Sequence, residues 1–293
     1  RVNLTQLAGK RILITGASGM VGSYLTETIT KSSQILGIEM PHIDVLVRNL
    51  SSKNLAALAT KNLVNPLVVS DISKLMHGEY DYVIHMASPA SPTQYGDITA
   101  INQANAGFIN NFFESGSAET FMFISSGEVY GPQPPEGLPE TFHAEFDPQH
   151  PRSSYPLAKI DAENSLLSKE TNPKIVRLFH TFGPGLKKND GRSFADFIWA
   201  AAQNNQIILK SQGLDLRTFL YLEDTIVGLL LVLLSSSKFQ ITNVGSSQPT
   251  SIATFAKMVS KVAGVEEPKI NEKSDIDYFH SPNKAIIPSN TRL

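Results

Sequence analysis

Phe121-Met-Phe-Ile-Ser125-Ser-Gly-Glu-Val-Tyr130-Gly131 is the stretch on which the reading of this chain turns. Its four apolar residues, 121 to 124, make a buried strand too short for a helix. A polar cluster of Ser125, Ser126 and Glu128 breaks out at the carboxyl end of that strand. In an open α/β sheet this edge is where ligands bind. Further on stands Tyr155-Pro-Leu-Ala-Lys159. A Tyr and a Lys four apart share one face of a helix, because about 3.6 residues make a turn. A hydroxyl, a phenol and an ammonium can therefore converge on one substrate carbon, and the pattern predicts a redox site.

Toward the amino terminus, Arg11-Ile-Leu-Ile-Thr15 is a short apolar strand, Gly16-Ala-Ser-Gly19-Met-Val-Gly22 follows at once, and residues 21 to about 31 have helical character. A glycine turn alone is a weak signal; between a strand and a helix it is the dinucleotide fingerprint. Gly16 allows the tight turn, Gly19 lets the backbone approach a pyrophosphate, and Gly22 lets helix and strand pack. The helix amino terminus offers donors and a positive dipole to phosphate. The expected cofactor shell is Gly16, Ser18, Gly19, Met20, Val21 and Gly22, with Tyr155 and Lys159 at the reacting end. Asp71 and Ile72, after a strand at 67–69, are an adenine contact, and Met86, Ala87 and Ser88 form a small-residue loop beneath the cofactor. Arg48 ends the strand at 44–47. An acid there would bind a ribose 2′-hydroxyl, whereas an arginine meets a 2′-phosphate, which favours NADP(H). A solvated arginine after an edge strand is the plainer alternative. The cofactor is read as NAD or NADP.

Further strands at 82–85 and 174–178 alternate with helical stretches at 98 to about 115 and 154–169. That alternation predicts the α/β class, a Rossmann-type doubly wound parallel sheet with a smaller carboxyl-terminal substrate lobe. From His180 the rhythm changes to loops, a helix from 193 to about 204, a short strand at 207–209, an apolar helix from Thr225, a strand at 240–243 and a helix at 252–262. The expected organisation is a dinucleotide-binding domain over 1–179, with returns at about 217–245, and a substrate-binding lobe over 180–216 and 246–293. The proline-rich stretch 132–148 reads as a rim or lid.

The 293 residues suffice for a large core, in one large domain or two moderate ones. A net charge of −2 without a basic block gives nucleic acid no electrostatic foothold. The lack of cysteine excludes disulfide and thiolate chemistry and fits a reducing compartment. Seven histidines form no His-x-x-x-His pair, so no metal site is expected. The most apolar run, 226–234, is about half a bilayer span, and no signal peptide opens the chain. The expectation is a soluble, cytoplasmic protein with no nucleic-acid or membrane partner.

Gly16-x-x-Gly19-x-x-Gly22, Ser126, Tyr155-x-x-x-Lys159 and Arg217-x-Phe-x-Tyr-x-x-Asp224 occur together and in order. By these marks the chain, over essentially its whole length, resembles the extended short-chain dehydrogenase/reductases that modify nucleotide sugars. Within that group His85-Met-Ala-Ser-Pro-Ala-Ser-Pro-Thr-Gln-Tyr95 and Asn189-Asp-Gly-Arg192 resemble the UDP-glucuronate decarboxylases. Ser126-Gly-Glu-Val-Tyr130 resembles both those enzymes and the dTDP-glucose 4,6-dehydratases. Departures mark the chain as well. The dehydratases place an Asp at Gly127, so the acid that protonates their leaving hydroxyl is missing. Decarboxylases usually carry Ser at Gly127, Arg at Ile160 and Asn at His180. For their carboxylate-binding Arg, only Lys284 is a loose counterpart, and Arg48 stands where NAD-dependent members have Asp. The resemblance implies a nucleotide-diphosphate sugar as substrate and a homodimer built from the paired helices at 98–115 and 155–169.

A free tyrosine has a pKa of about 10. For Tyr155 to act as a base near neutrality that value must fall, and the Lys159 ammonium and a positive nicotinamide ring push in that direction. Tyr155 would take the proton of the sugar C4 hydroxyl while hydride leaves C4, with Ser126 holding the same oxygen. The resulting 4-ketone acidifies C5–H and makes a C6 carboxylate a β-keto acid. Glu128 is then a base or proton relay at C5, or merely a capping carboxylate beside the lid. Arg192 and Arg217 suit a diphosphate clamp. Ser88, Tyr95 and His180 are candidate sugar contacts, the last two equally able to pack in a lobe interface. Three functions follow: a decarboxylase or dehydratase that recycles its cofactor; an NADPH-dependent 4-keto-sugar reductase or 4-epimerase; or a non-catalytic cofactor-binding sensor. The intact Ser126, Tyr155 and Lys159 set argues against the last.

Overall fold

Arg11–Thr15 (β1) is apolar on both faces: Ile12 and Ile14 enter one buried cluster and Leu13 the cluster on the opposite side. Such a strand is stable only between two layers of helix. A computed structural model shows this arrangement, and it describes every residue except 1, 49–52, 69–77, 93–94, 96, 133–136, 148, 151, 170, 272–282 and 293. His42–Val47 (β2), Asn65–Val68 (β3), Glu79–His85 (β4), Ser117–Ser126 (β5) and Asn172–Leu178 (β6) join β1 and a last strand, Ile241–Val244, in one parallel seven-stranded sheet. Across the sheet the order is Ile241–Val244, β6, β5, β4, β1, β2, β3. The chain order reverses between β4 and β1, and a Rossmann-type sheet takes its ligand beyond the carboxyl ends at that point.

Period-two alternation runs through the sheet. Phe121 and Phe123 of β5 pack on one face with Phe108, Phe112 and Ile175. Met122 and Ile124 pack on the other with Ile14, Ile84 and Val176. Strand β5 begins at Ser117, earlier than its apolar core, because β4 and β6 hydrogen-bond it on both sides. The helix after the glycine turn, Met20–Leu36, outlasts its apolar pattern. Its buried Thr26 and Ser33 hydroxyls donate to the carbonyls of Gly22 and Ile29 at 2.8 Å, and Gly37 caps it in the left-handed region at φ 61°. The stretch 98–112 is helical with a π-turn, Gln103–Gly107, set into it. A helix at Lys53–Thr60 was not legible in the pattern.

Beyond β6 a third apolar cluster gathers Phe194, Phe197, Ile207, Leu209 and Phe255, with Phe219 and Phe255 stacked at 4.0 Å between ring centres. Around it run the helices Ser193–Ala202 and Ile252–Ala263 and pairs of very short strands, His180–Phe182 with Phe219–Tyr221 among them. The apolar helix starts at Leu222, three residues before Thr225, with Glu223 and Asp224 in its first turn. Acids there suit the positive end of the helix dipole. No helix among the described residues is long and apolar enough to cross a membrane.

Candidate active site

At the carboxyl edge of the sheet a cavity of about 910 Å³ opens between the glycine turn and the third cluster. Gly16 sits at φ +74°, and a Cβ there would lie 2.8 Å from the Ala87 nitrogen; a Cβ on Gly22 would lie 2.3 Å from the Gly16 oxygen. Backbone therefore occupies the space any side chain would need. Thr15 Oγ1 accepts the N–H groups of Met86 at 3.2 Å and Ala87 at 3.1 Å, which leaves its own hydrogen to donate to His85 Nδ1 at 2.7 Å. This clip fixes the floor of the cavity. Gly16, Gly19, Met20, Val21, Gly22, Met86 and Ser88 line it. Ser18 and Arg48 are exposed and stand outside the lining, and Ala87 contributes backbone beside Gly16. Asp71 and Ile72 lie outside the described residues. A bare-backbone turn at the start of a seventeen-residue helix fits the pyrophosphate of a nicotinamide dinucleotide.

Ser126, Tyr155 and Lys159 converge on the same cavity. Ser126 ends β5, and its Oγ accepts the Glu128 N–H at 3.2 Å, leaving the hydroxyl hydrogen to favour the ionised Tyr155 phenol. Tyr155 is 5 % exposed. Burial pushes its phenol up to about 12, against the opposing pull of Ser126 and Arg192. The expected lowering by Lys159 is thus not met in the protein alone. Burial drives Lys159 itself down to about 7, with Glu163 opposing, and its Nζ lies 5.8 Å from the Tyr155 ring centre. Lys159 Nζ donates instead to Asn105 Oδ1 and the Ile124 carbonyl, each at 2.9 Å.

Tyr95 is stacked on Tyr155, and His180 lies edge-on to Phe194 at 5.9 Å. Burial holds the His180 imidazole well below its ordinary value, and Arg217, Arg192 and Arg152 act in the same direction. Its Nδ1 has no hydrogen-bond partner among the described residues. Arg192 forks the Asp190 carboxylate and lies over Phe194 at 5.3 Å. Arg217 donates to the carbonyls of Leu216 at 2.7 Å and Asn283 at 2.9 Å. Ser91 Oγ donates to the Asp190 carbonyl, tying the floor loop to the Arg192 loop. Glu128 also lines the cavity, and its Oε2 accepts from Asn283 Nδ2 at 3.1 Å. Lys284 does not face the site: its side chain is 84 % exposed and pairs with Asp215 at 3.5 Å.

Three supporting residues escaped the sequence. Asn105 is fully buried in the π-turn and joins Ser88 to Lys159, donating to Ser88 Oγ at 3.0 Å. Nothing in a helical pattern flags it. Glu163 takes the Ser125 hydroxyl at 2.5 Å and the Arg177 fork at 2.8 and 3.1 Å. This buried trio locks the end of β5 to the Tyr155 helix, Ser154–Leu167. Its spacing of four beyond Lys159 was the available signal.

A dinucleotide cradle with a Ser, Tyr and Lys set at the sheet edge defines the extended short-chain dehydrogenase/reductases. The chain belongs to the NAD dependent epimerase/dehydratase family, whose model matches residues 12–245. It is 29% identical over 268 residues to UDP-glucuronic acid decarboxylase 1 of Xenopus tropicalis, covering 89% of this chain and 62% of that protein. To UDP-glucuronic acid decarboxylase 1 of Arabidopsis thaliana it is 27% identical over 277 residues, covering 90% of this chain and 62% of that one. The alignments thus span about 62% of these relatives' own length. Among solved structures, UDP-glucuronic acid 4-epimerase from Bacillus cereus with UDP-glucuronic acid and NAD superposes with a TM-score of 0.78 at 20% identity, covering 95% of this chain and 90% of that one. UDP-N-acetylglucosamine 4-epimerase from Methanobrevibacter ruminantium M1 gives 0.79 at 21%, covering 97% and 90%. These two share the fold.

Proposed function

We propose that this chain is a nucleotide-sugar enzyme that oxidises the sugar at C4 with a bound nicotinamide cofactor, of the UDP-glucuronate decarboxylase type. The observation that carries the reading is the Tyr155 phenol, gathered with Ser126 and Lys159 on the cavity that the glycine turn enters. An oxidised nicotinamide dinucleotide held by the glycine turn would supply the hydride acceptor and a positive charge that favours phenolate. Tyr155 takes the proton from the C4 hydroxyl, and Ser126 donates to the same oxygen. Lys159 fixes the geometry through Asn105 and Ile124. The 4-ketone then lets the C5–C6 bond break, its electron pair passing to the ketone oxygen as carbon dioxide leaves. Glu128 returns a proton to C5, and Tyr155 returns one to the C4 oxygen when hydride comes back. Arg192 and Arg217 hold the diphosphate, Ser88 and Tyr95 flank the sugar, and His180 hydrogen-bonds it as a neutral ring.

Gly127 speaks against dehydration. A Cβ there would lie 2.8 Å from the Phe179 ring, so an acidic side chain has no room. A second reading, an NADPH-dependent 4-keto-sugar reductase or 4-epimerase, draws on Arg48 at the end of β2, where a 2′-phosphate would lie. In both readings residues 180–216 and 246–293 carry the sugar nucleotide, and the chain pairs as a cytoplasmic homodimer through the helices of 98–112 and Ser154–Leu167. Sedimentation tests the pairing. For the reaction, a panel of UDP-sugars followed by mass spectrometry decides. Loss of carbon dioxide supports the decarboxylase, gain of two hydrogens the reductase, and an unchanged mass with an inverted C4 the epimerase. No change with any sugar removes the reading.

A further inference from the structure

Glu128 is held at both of its ends. It sits in a short helical turn, Gly127–Tyr130, that follows β5, and its N–H donates to Ser126 Oγ at 3.2 Å. Its carboxylate is met from 155 positions further along the chain, where Asn283 Nδ2 donates to Glu128 Oε2 at 3.1 Å. The opposite orientation of that amide would set two acceptors face to face, so the nitrogen is the atom turned to the carboxylate. Asn283 is 3 % exposed, and its backbone carbonyl accepts from Arg217 Nη2 at 2.9 Å. One residue therefore touches both Glu128 and Arg217.

The segment that carries Asn283 is a strap bound along its length. Ala285 and Ile286 pair in parallel with Leu216 and Arg217, and the Leu216 N–H donates to the Lys284 carbonyl at 2.8 Å. Pro288 bridges to Leu138 of the proline-rich stretch, and the Ser289 N–H donates to the Leu138 carbonyl at 3.1 Å. From the sheet strand Ile241–Val244, the Asn243 amide donates to the carbonyls of Ser289 at 3.0 Å and Leu138 at 3.3 Å. Ile286 forms part of the main cavity's wall, whereas Asn283 lies outside that lining, behind Glu128. A backbone pinned at so many points presents the amide to Glu128 in one place.

We propose that Asn283 is a positioning residue for the return of a proton to C5, holding Oε2 of Glu128 as an acceptor so that the transferable proton rides on Oε1. The assignment rests on the nucleotide-sugar reading above and adds the residue that aims its acid. The amide hydrogen occupies the place of a hydroxyl hydrogen on Oε2, so a protonated Glu128 carries its hydrogen on the other oxygen. Supporting hydrogen bonds of this kind keep a reacting group in its productive geometry. Once the C5–C6 bond has broken and its electron pair lies on the enolate, the proton passes from Oε1 to C5. Glu128 is left as the carboxylate and regains a proton from water. Asn283 acts through Glu128, and no bond is made or broken at it.

Two substitutions remove the amide and keep the carbonyl that Arg217 uses: Asn283→Ala, and Asn283→Leu, which preserves the volume of the side chain. Isothermal titration of each full-length variant with UDP, dinucleotide present, should match wild type within about twofold, because the Arg217 contact is to backbone. With UDP-glucuronate, kcat should fall by about 10- to 100-fold, the range of a hydrogen bond to a charged group, and KM should not rise. Reduced nicotinamide should accumulate during turnover, seen by its absorbance, since hydride return waits on C5. In heavy water, wild type should place deuterium at a single position on C5, and both variants should scramble it. UDP affinity falling in step with kcat would make Asn283 a prop for the strap and overturn the proposal. Unchanged kcat with deuterium still at one position would overturn it too, while leaving the nucleotide-sugar reading standing. A wild type that binds dinucleotide but releases no carbon dioxide from UDP-glucuronate would overturn that reading, and the proposal with it.

Discussion

The ring of Tyr95 lies flat on the ring of Tyr155, with 4.5 Å between centres and 5° between planes. Tyr95 is 8 % exposed, and burial holds its phenol well above the ordinary value, so it remains neutral throughout the working pH range. The pair shields the Tyr155 phenol and fixes its plane. Aromatic pairs contribute about 0.5–1.5 kcal/mol beyond the area they bury. Tyr95→Phe should therefore keep turnover within about twofold, whereas Tyr95→Ala should lower kcat by roughly 2- to 10-fold. Steady-state kinetics checks this, and equal losses in both variants would assign the effect to the hydroxyl, as a sugar contact.

Lys159 makes stability depend on pH. Its folded value of about 7 lies below its ordinary 10.5 because burial disfavours the ammonium. Below about pH 7 the lysine is charged in both states and the penalty is complete. Between about 7 and 10.5 the unfolded chain binds the extra proton, so stability rises with pH until the penalty is gone. Lys159→Met lacks this dependence. Urea unfolding at about pH 6 and about pH 9 should show wild type gaining roughly 2 kcal/mol on the variant. An identical difference at both pH values would place the ammonium in solvent.

Gly127 and Phe179 compete for one space. Adding a methyl group at 127 puts it 2.8 Å from two ring carbons. Gly127→Ala should destabilise by about 1–3 kcal/mol, the usual range for overpacking. In a Phe179→Leu background much of that loss should disappear, since contacting residues couple in a double-mutant cycle. Gly127→Asp should not create a dehydratase, because its carboxylate cannot enter without displacing the ring. Thermal unfolding and product analysis check the two statements.

Arg48 is exposed at the carboxyl end of β2, beside the cradle but outside its lining. If it meets a 2′-phosphate, Arg48→Asp should weaken NADPH by about tenfold or more and leave NADH within about twofold. Titration of the intrinsic fluorescence with each reduced dinucleotide separates the cases. Equal effects on both would leave Arg48 a solvated surface residue.

Much of this architecture was legible because its cause is local. Alternating apolar residues in β1 and β5 and glycines with no space for a Cβ declare the sheet and the cradle directly. The helical spacing of Tyr155 and Lys159 could be read for the same reason. What escaped depends on long-range packing. Asn105 reaches Lys159 across 54 positions, and Arg177 meets Glu163 and the Glu140 carbonyl from a neighbouring strand. The direction of the phenol's shift in the protein alone has the same origin. A nearby ammonium was visible in the sequence, but the burial that raises Tyr155 and discharges Lys159 belongs to the folded chain. Short strands such as His180–Phe182 form only because a partner, Phe219–Tyr221, is brought alongside.

The most direct measurement is the turnover of UDP-glucuronate by Tyr155→Phe, followed by mass spectrometry with dinucleotide affinity measured in parallel. Removing one oxygen should lower turnover by about 10²- to 10⁴-fold, while dinucleotide affinity changes by less than about twofold. Turnover at the wild-type level in that variant would contradict the assignment of Tyr155 as the group that moves the C4 proton.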